Sequence, residues 1–266
     1  GHPLLETTIS ALTERDGGVL RLLINREDKR NALSAEVMRG MLEAVVAASS
    51  DDDVRVVVVS SVGDRIFCAG ADLAVMSSDA TGLEQHEGRG LLARLVVAMR
   101  ACPVPIVARV QGMCLAGGIG LAAGADVVLA RESATFGLPE VDRGLWPFMV
   151  SALLARHISP KHAMDRMLAG DRFDARTAYE MGLVSRVFPN ESFEADVESY
   201  VAKLAASPPA AVRLGKAAWI TATETGPLPI ALEAMQAQLS LLTTTKDAAE
   251  GIAAFFEKRP PNWTGR

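Results

Sequence analysis

Two short stretches hold residues from which a reaction site could be built. "FCAGADL" (67–73) and "CLAGGIGLAAGAD" (114–126) each place glycine and alanine just after an apolar run, so bare main chain follows each of two candidate buried strands. Two such turns can each aim a backbone N–H at one oxygen atom. Donors fixed before the reaction and shielded from water stabilise the negative charge that develops on a carbonyl oxygen. A helix beginning near Gly118 adds the positive end of its dipole. That arrangement is an oxyanion hole. Two other readings fit parts of the same residues. One is tight helix-on-sheet packing, which needs small residues and no ligand. The other is a dinucleotide fingerprint, because "GIGLAA" (118–123) matches G-x-G-x-x-A with Glu132 beyond the next strand. The fingerprint fits poorly in detail: Glu132 comes earlier than the usual spacing of about 20 residues, and "FCAGADL" is left without a role.

Composition narrows the chemistry further. The 266 residues carry a net charge of −5 with scattered basic residues, so no phosphate-tracking stripe is present and nucleic acid is excluded as a partner. Apolar residues make up 49% and charged ones 22%, the balance of a globular protein with a sizeable core. No apolar run approaches the roughly 18 residues of a membrane span. The start "GHPLLETT" has no secretory pattern, Gly1 and His2 read as the remnant of a purification tag, and the expected location is the cytoplasm. Cys68, Cys102 and Cys114 are too irregularly spaced for a disulfide framework or a thiolate metal site. Of the histidines only His157 and His162 lie near one another, with Pro160 between them, so no metal is expected.

The elements that must position the two turns alternate along the chain. "GVLRLLIN" (18–25) reads as a strand and "SAEVMRGMLEAVVAAS" (34–49) as a helix capped by Ser34. "VRVVVVSS" is a fully apolar strand. Residues 77–90 are polar and glycine-containing and read as a mobile loop, followed by a helix, "LLARLVVAMRAC", that Pro103 stops. "VPIVARV" and "DVVLA" are strands on either side of the glycine-rich stretch. After Ser159 and Pro160 the pattern is mostly helical, with one short strand candidate, "LVSRVF", and late helices in "SPPAAVRLGKAAW" and "TKDAAEGIAAFFEKR". No repeat of 20 to 50 residues is evident. The expectation is an α/β core with right-handed crossovers over 1–192 and a helical appendage over 193–266.

"NREDKRNALS" (25–34), "FCAGADL", "CLAGGIGLAAGAD", "FGLPEVDRGLWP" (136–147) and "EGIAAFFEKR" (250–259) resemble, in order and spacing, the successive signatures of the crotonase family, the enoyl-CoA hydratases and isomerases. The resemblance implies a spiral of stacked ββα units with a C-terminal helical trimerisation region, and hence a homotrimer or dimer of trimers. It implies an acyl-CoA thioester as substrate, with no cofactor beyond the coenzyme A of that ester. It places the oxyanion donors at the N–H groups of Ala71 and Gly117. Coenzyme A would lie across Lys29, Arg30, Ala69, Gly70, Asp72 and Leu73, with Phe255 and Lys258 reaching its adenine and ribose phosphate end, in family members often from a neighbouring subunit. Lys29, Arg30 and Lys258 also fit plain surface charges, and Asp72 fits a helix N-cap. The acyl group would meet Gly120, Leu138, Pro139, Trp146 and Phe148.

One departure from the family pattern bears on the reaction. Family hydratases carry two glutamates, at the positions of Gly120 and Glu140. Here only Glu140 is present, following Pro139. In an apolar pocket its pKa should rise, which suits a base that must also return its proton. One carboxylate can take a proton from one carbon and return it to another, so isomerisation of an enoyl-CoA is expected ahead of hydration. Hydration would ask another group, Glu84, Glu87 or Asp142, to place the water. A CoA-ester decarboxylase, a catalytically silent CoA-ester binding protein and a nicotinamide-dependent enzyme built on "GIGLAA" are the remaining alternatives.

Overall fold

The valine run that starts at residue 56 lacks a polar face because neither of its faces meets water. In the computed structural model, which describes residues 5–6, 10–72, 81–224 and 226–266, it forms β4 (Val56–Ser61), buried throughout. β4 runs parallel to β3 (Val19–Ile24) on one side and β6 (Ile106–Val110) on the other. Successive side chains alternate across the sheet: Val57 and Val59 enter the main core, and Val56 and Val58 enter a second cluster on the opposite face. The sheet has seven strands in the order β1-β2-β3-β4-β6-β8-β11, with β1 (Leu5–Glu6), β2 (Ala11–Asp16), β8 (Val127–Arg131) and β11 (Arg186–Phe188) completing it. β1 to β3 pair antiparallel and the other pairings are parallel.

A second, smaller sheet lines up β10 (Arg172–Asp174), β9 (Thr135–Gly137), β7 (Met113–Leu115) and β5 (Ile66–Cys68). Each turn of the chain places one strand in the large sheet, the next in the small sheet, and then a helix. β4 and β5 lead to α2 (Gly82–Ala101), and β6 and β7 lead to α3 (Gly117–Gly124). β8 and β9 lead to a tight helical turn, Pro139–Arg143, and then to α4 (Phe148–His157) and α5 (Pro160–Ala169). The first turn is abbreviated: after β3, Leu33 alone bridges Ala71 before α1 (Ala35–Ser49). This is the stacked ββα spiral that the resemblance implies. The helices range from 6 residues in α6 (Ala175–Glu180) to 20 in α2, which is why no fixed period is visible in the sequence.

Several boundaries differ from the sequence reading. Residues 82–90, expected as a loop, are the first half of α2. Thr81 accepts the N–H of Glu84 at 3.3 Å while the Glu84 carboxylate accepts the N–H of Thr81 at 2.8 Å, a reciprocal cap that carries the helix through its glycines. Residues 77–80 lie outside the described residues. After α6 (Ala175–Glu180), the helical region does not stand apart from the sheet at 193. Phe193, Val197 and Val201 of α7 (Phe193–Ala205) cover the second face of β4, β6 and β8. α8 (Pro209–Glu224) is tied down by Lys216, whose Nζ lies 2.7 Å from Asp126 and donates to the carbonyls of Met99 and Val104 at 2.9 and 3.1 Å. Beyond it, α9 (Leu228–Leu242) and α10 (Lys246–Glu257) leave Leu228, Leu232, Leu239, Phe255 and Phe256 largely in water. No helix among the described residues is long and apolar enough to cross a membrane.

The glycines of α3 answer to packing as well as to chemistry. A Cβ on Gly118 would sit 2.7 Å from the Cys68 carbonyl oxygen and 2.9 Å from its Cβ, and one on Gly124 would sit 3.2 Å from Val96. By contrast, a Cβ on Gly215 in α8 meets nothing within 4 Å. We expect Gly118→Ala to destabilise the protein by about 1–3 kcal/mol through overpacking against backbone, and Gly215→Ala to stabilise it by about 0.5–1 kcal/mol through helix propensity. Denaturant midpoints of the two variants moving in the same direction would contradict this division of roles.

Candidate active site

β5 and β7 pair in parallel with Cys68 opposite Cys114, so the turns that leave them emerge side by side. Gly70 has φ +110°, and a Cβ there would lie 2.8 Å from the Ala116 Cβ and 3.5 Å from the Gly117 nitrogen. Ala116 itself holds φ 52° and ψ −122°, a left-handed conformation that is strained for a residue with a Cβ. A Cβ on Gly117 would lie 3.5 Å from the Ala71 nitrogen, so the two expected donors are neighbours across the junction. The bridge to Leu33 uses the Gly70 carbonyl (2.8 Å) and the Asp72 N–H (3.0 Å). That pattern turns the intervening Ala71 N–H away from Leu33. Gly117 opens α3, and its N–H has no intrahelical acceptor. The Ala71 and Gly117 nitrogens and the N-terminus of α3 therefore lie side by side, with Leu33 as an apolar wall 3.6 Å from the Gly117 Cβ position.

The 69–72 turn is braced from the 25–34 segment. The Arg26 guanidinium lies 2.8 Å from Asp72 and also donates to the Ala32 carbonyl at 2.8 Å. Asn31 is fully buried at φ 51°; its Nδ2 donates to the carbonyls of Val62 and Ile66, and its Oδ1 accepts the Arg26 N–H. The Cys68 sulfur accepts the Gly70 N–H at 3.4 Å, and burial pushes that thiol up to about 12. Asp72 thus serves as an ionic brace. Arg26 and Asn31 are positioning residues that the sequence reading did not assign. Their only local signal is an asparagine, a residue that tolerates φ > 0, directly before "AL".

Glu140 stands in the first turn of Pro139–Arg143, directly after β9 and the buried Leu138. Its Oε2 is buried with no hydrogen-bond partner among the described residues. Burial pushes its pKa above the ordinary carboxylate range, partly offset by a backbone hydrogen bond and the charge of Arg143. Two of the candidate second acids have other neighbours. The Asp142 carboxylate lies 3.4 Å from where a Cβ on Gly170 would sit, at the end of α5. Glu84 caps α2, and the Glu87 side chain lies outside the described residues. The position of Gly120 is apolar and filled: a Cβ there would meet Val150 at 3.2 Å, Leu92 at 3.6 Å and Leu153 at 3.9 Å. Gly118 and Gly120 lie inside α3 against side chains, not in the turn that precedes it, so the dinucleotide reading of "GIGLAA" does not hold.

Other expected contacts are distributed as follows. Lys29 and Arg30 are exposed, and the Arg30 carbonyl accepts the Ala69 N–H at 3.1 Å, which lays their loop along the 69–72 turn. Leu73 lies outside the described residues. Phe255 and Lys258 are at the end of α10, which packs on α8; Phe255 is 78% exposed and Lys258 closes the helix at φ 53°. Pro139 adjoins Glu140, Trp146 packs on the main core, and Phe148 points into water at the start of α4.

The raised pKa of Glu140 carries a stability signature. The folded protein holds this proton more tightly than the unfolded chain, so the contribution to stability is fully present below about pH 4.3 and lost as pH rises through the folded value. Glu140→Gln keeps the neutral shape at every pH. Its melting temperature should therefore gain on the parent between about pH 4 and pH 8; a gap that stays flat would mean that the carboxylate is not desolvated.

Comparison with known proteins agrees with this geometry. Residues 14–266 match the family model described as enoyl-CoA hydratase/isomerase. The mitochondrial enoyl-CoA hydratase domain-containing protein 3 of Danio rerio is 32% identical, with 95% of this chain and 87% of that one covered. The 2,3-dehydroadipyl-CoA hydratase of Escherichia coli K12 is 34% identical over 96% of this chain and 98% of its own. Among solved structures, the enoyl-CoA hydratase of Mycobacterium smegmatis superposes with a TM-score of 0.92 at 31% identity, covering 96% and 99% of the two chains. With the spiral, the paired turns and the match all in register, the chain belongs to the enoyl-CoA hydratase/isomerase family.

Proposed function

We propose that this chain shifts the double bond of an enoyl-CoA thioester through an enolate, with Glu140 as the single acid/base. The observation that carries the reading is the pairing of one desolvated carboxylate, whose buried Oε2 has no partner among the described residues, with an apolar, filled Gly120 position. The thioester oxygen sits between the N–H groups of Ala71 and Gly117, each worth roughly 2.7–4 kcal/mol in comparable sites. The Glu140 carboxylate removes a proton from C2 of a 3-enoyl ester, and the electron pair delocalises onto the thioester oxygen and C4. The protonated Glu140 then delivers that proton to C4, leaving the 2-enoyl ester and a carboxylate ready for the next cycle. No water enters and no second acid is needed.

Hydration is the second reading, favoured by the names of the relatives. It requires a group to hold water beside Glu140. Val150, Leu92 and Leu153 around Gly120 offer none, and a glutamate at 120 would have to displace them. The oligomer and location belong to the same proposal: the exposed apolar faces of α9 and α10 suit a homotrimer or dimer of trimers, in the cytoplasm, with Phe255 and Lys258 serving a neighbour's coenzyme A.

Two measurements test the chemistry. Glu140→Gln should lower turnover by about 10² to 10⁴ while leaving CoA-ester affinity within a few fold, because the oxyanion donors are backbone groups; an active variant would sink the assignment. Chromatographic analysis of 2-enoyl- and 3-enoyl-CoA esters should then give shifted enoyl product in excess. Efficient formation of 3-hydroxyacyl-CoA by the parent would favour hydration instead.

A further inference from the structure

Between α2, α4 and α8 lies a pocket of about 420 Å³, half open to water, that the proton transfers at Glu140 do not use. Its size falls within the roughly 300–1,000 Å³ of small-molecule sites, which are mostly apolar with a few convergent polar groups. Val96, Val97, Leu153 and Ile220 supply apolar wall, and the charged lining is Arg100, Arg156 and Glu224. Both guanidiniums face the same oxygen, Glu224 Oε1, at 2.5 Å from Arg100 and 3.8 Å from Arg156. One carboxylate against two guanidiniums leaves one positive charge unbalanced. The surplus is felt nearby: after burial, the charges of Arg100 and Arg156 are what depress the pKa of His157.

The pocket lies along α3. α3 begins at the oxyanion donor Gly117, and its later glycines face the cavity's own lining. Gly120 approaches Leu153, at 3.9 Å from its Cβ position, and Gly124 approaches Val96, at 3.2 Å. Gly124 is about 10 Å along the helix from Gly117, at a rise of about 1.5 Å per residue. Leu153 is the partition, touching the space beside Gly120 on one side and the cavity on the other. We propose that the far end of the acyl group displaces Leu153 and enters this cavity, where Arg100 and Arg156 select acyl groups that end in a carboxylate. This rests on the reading of the chain as an acyl-CoA enzyme and adds its substrate class. The three charged side chains also brace α2, α4 and α8, and the test must separate the two roles.

The test uses a matched pair, 3-octenoyl-CoA and its counterpart bearing a terminal carboxylate, with their saturated analogues for binding. The readout is the ratio of kcat/KM for the carboxylate-ended ester over the methyl-ended one, and the same ratio of affinities by calorimetry. The parent should favour the carboxylate-ended ester. Arg100→Gln and Arg156→Gln should each lower the ratio about tenfold, the scale of a lost charge-assisted hydrogen bond, and Glu224→Gln should raise it by removing the competing carboxylate. A parent that prefers the methyl-ended ester, or arginine variants that weaken both esters equally, would overturn the subsite while leaving the CoA-ester reading intact. If neither ester is turned over or bound, the CoA-ester reading fails first and the subsite with it.

Discussion

Everything at the site depends on how closely two pieces of backbone can be brought together. The Ala71 and Gly117 nitrogens come close only because Gly70 has no Cβ to collide with Ala116, and because α3 begins against the end of β5 without a side chain at Gly118. The parallel pairing of Cys68 with Cys114 sets the two chains at strand spacing. The left-handed Ala116 then turns the second chain into α3, at a strain cost of order 1–3 kcal/mol. Such strain persists only where surrounding structure over-determines it. Here the surroundings are the Ala116 N–H bond to the Gly137 carbonyl and the Leu33 bridge behind the first turn.

The spiral explains why these parts meet at all. Four successive turns place candidate site residues at their crossings between the two sheets: Arg26, Asn31 and Leu33 after β3, Ala71 after β5, Gly117 after β7 and Glu140 after β9. Because β5, β7 and β9 pair in parallel, their exits fall on one edge of the small sheet, and Leu33 comes beside Gly117 without a long loop. The charged brace from Arg26 to Asp72 ties the first turn to the second. Stiffness matters as much as proximity, since fixed dipoles stabilise a forming enolate without reorganising.

Much of this was legible in the sequence, and the exceptions share a cause. Strands buried on both faces, such as "VVVV", and helices with strong periodicity announce themselves, and the glycine-rich turns declare a close approach. Which neighbour makes that approach is not local information. Gly118 meets the end of β5, Gly120 meets α2 and α4, and Gly124 meets α2, yet all three look alike in sequence. Residues 82–90 read as a loop because glycine and charge outweigh periodicity there, whereas the Thr81 and Glu84 cap decides the matter in space. Arg26 and Asp72 lie 46 positions apart, and no pattern within one element links them. The seating of α7 on the sheet follows from the outward valines of β4, whose second buried face had to be covered by something.

The placement of Glu140 follows from what its surroundings lack. A second carboxylate nearby would raise one pKa of the pair by repulsion and leave the other low, dividing the roles of acid and base between two groups. With Gly120 apolar and Asp142 facing α5, burial is the main cause of the shift at Glu140. Desolvation weakens the preference for the charged form, so a proton on this carboxylate is held at less cost than on an exposed one.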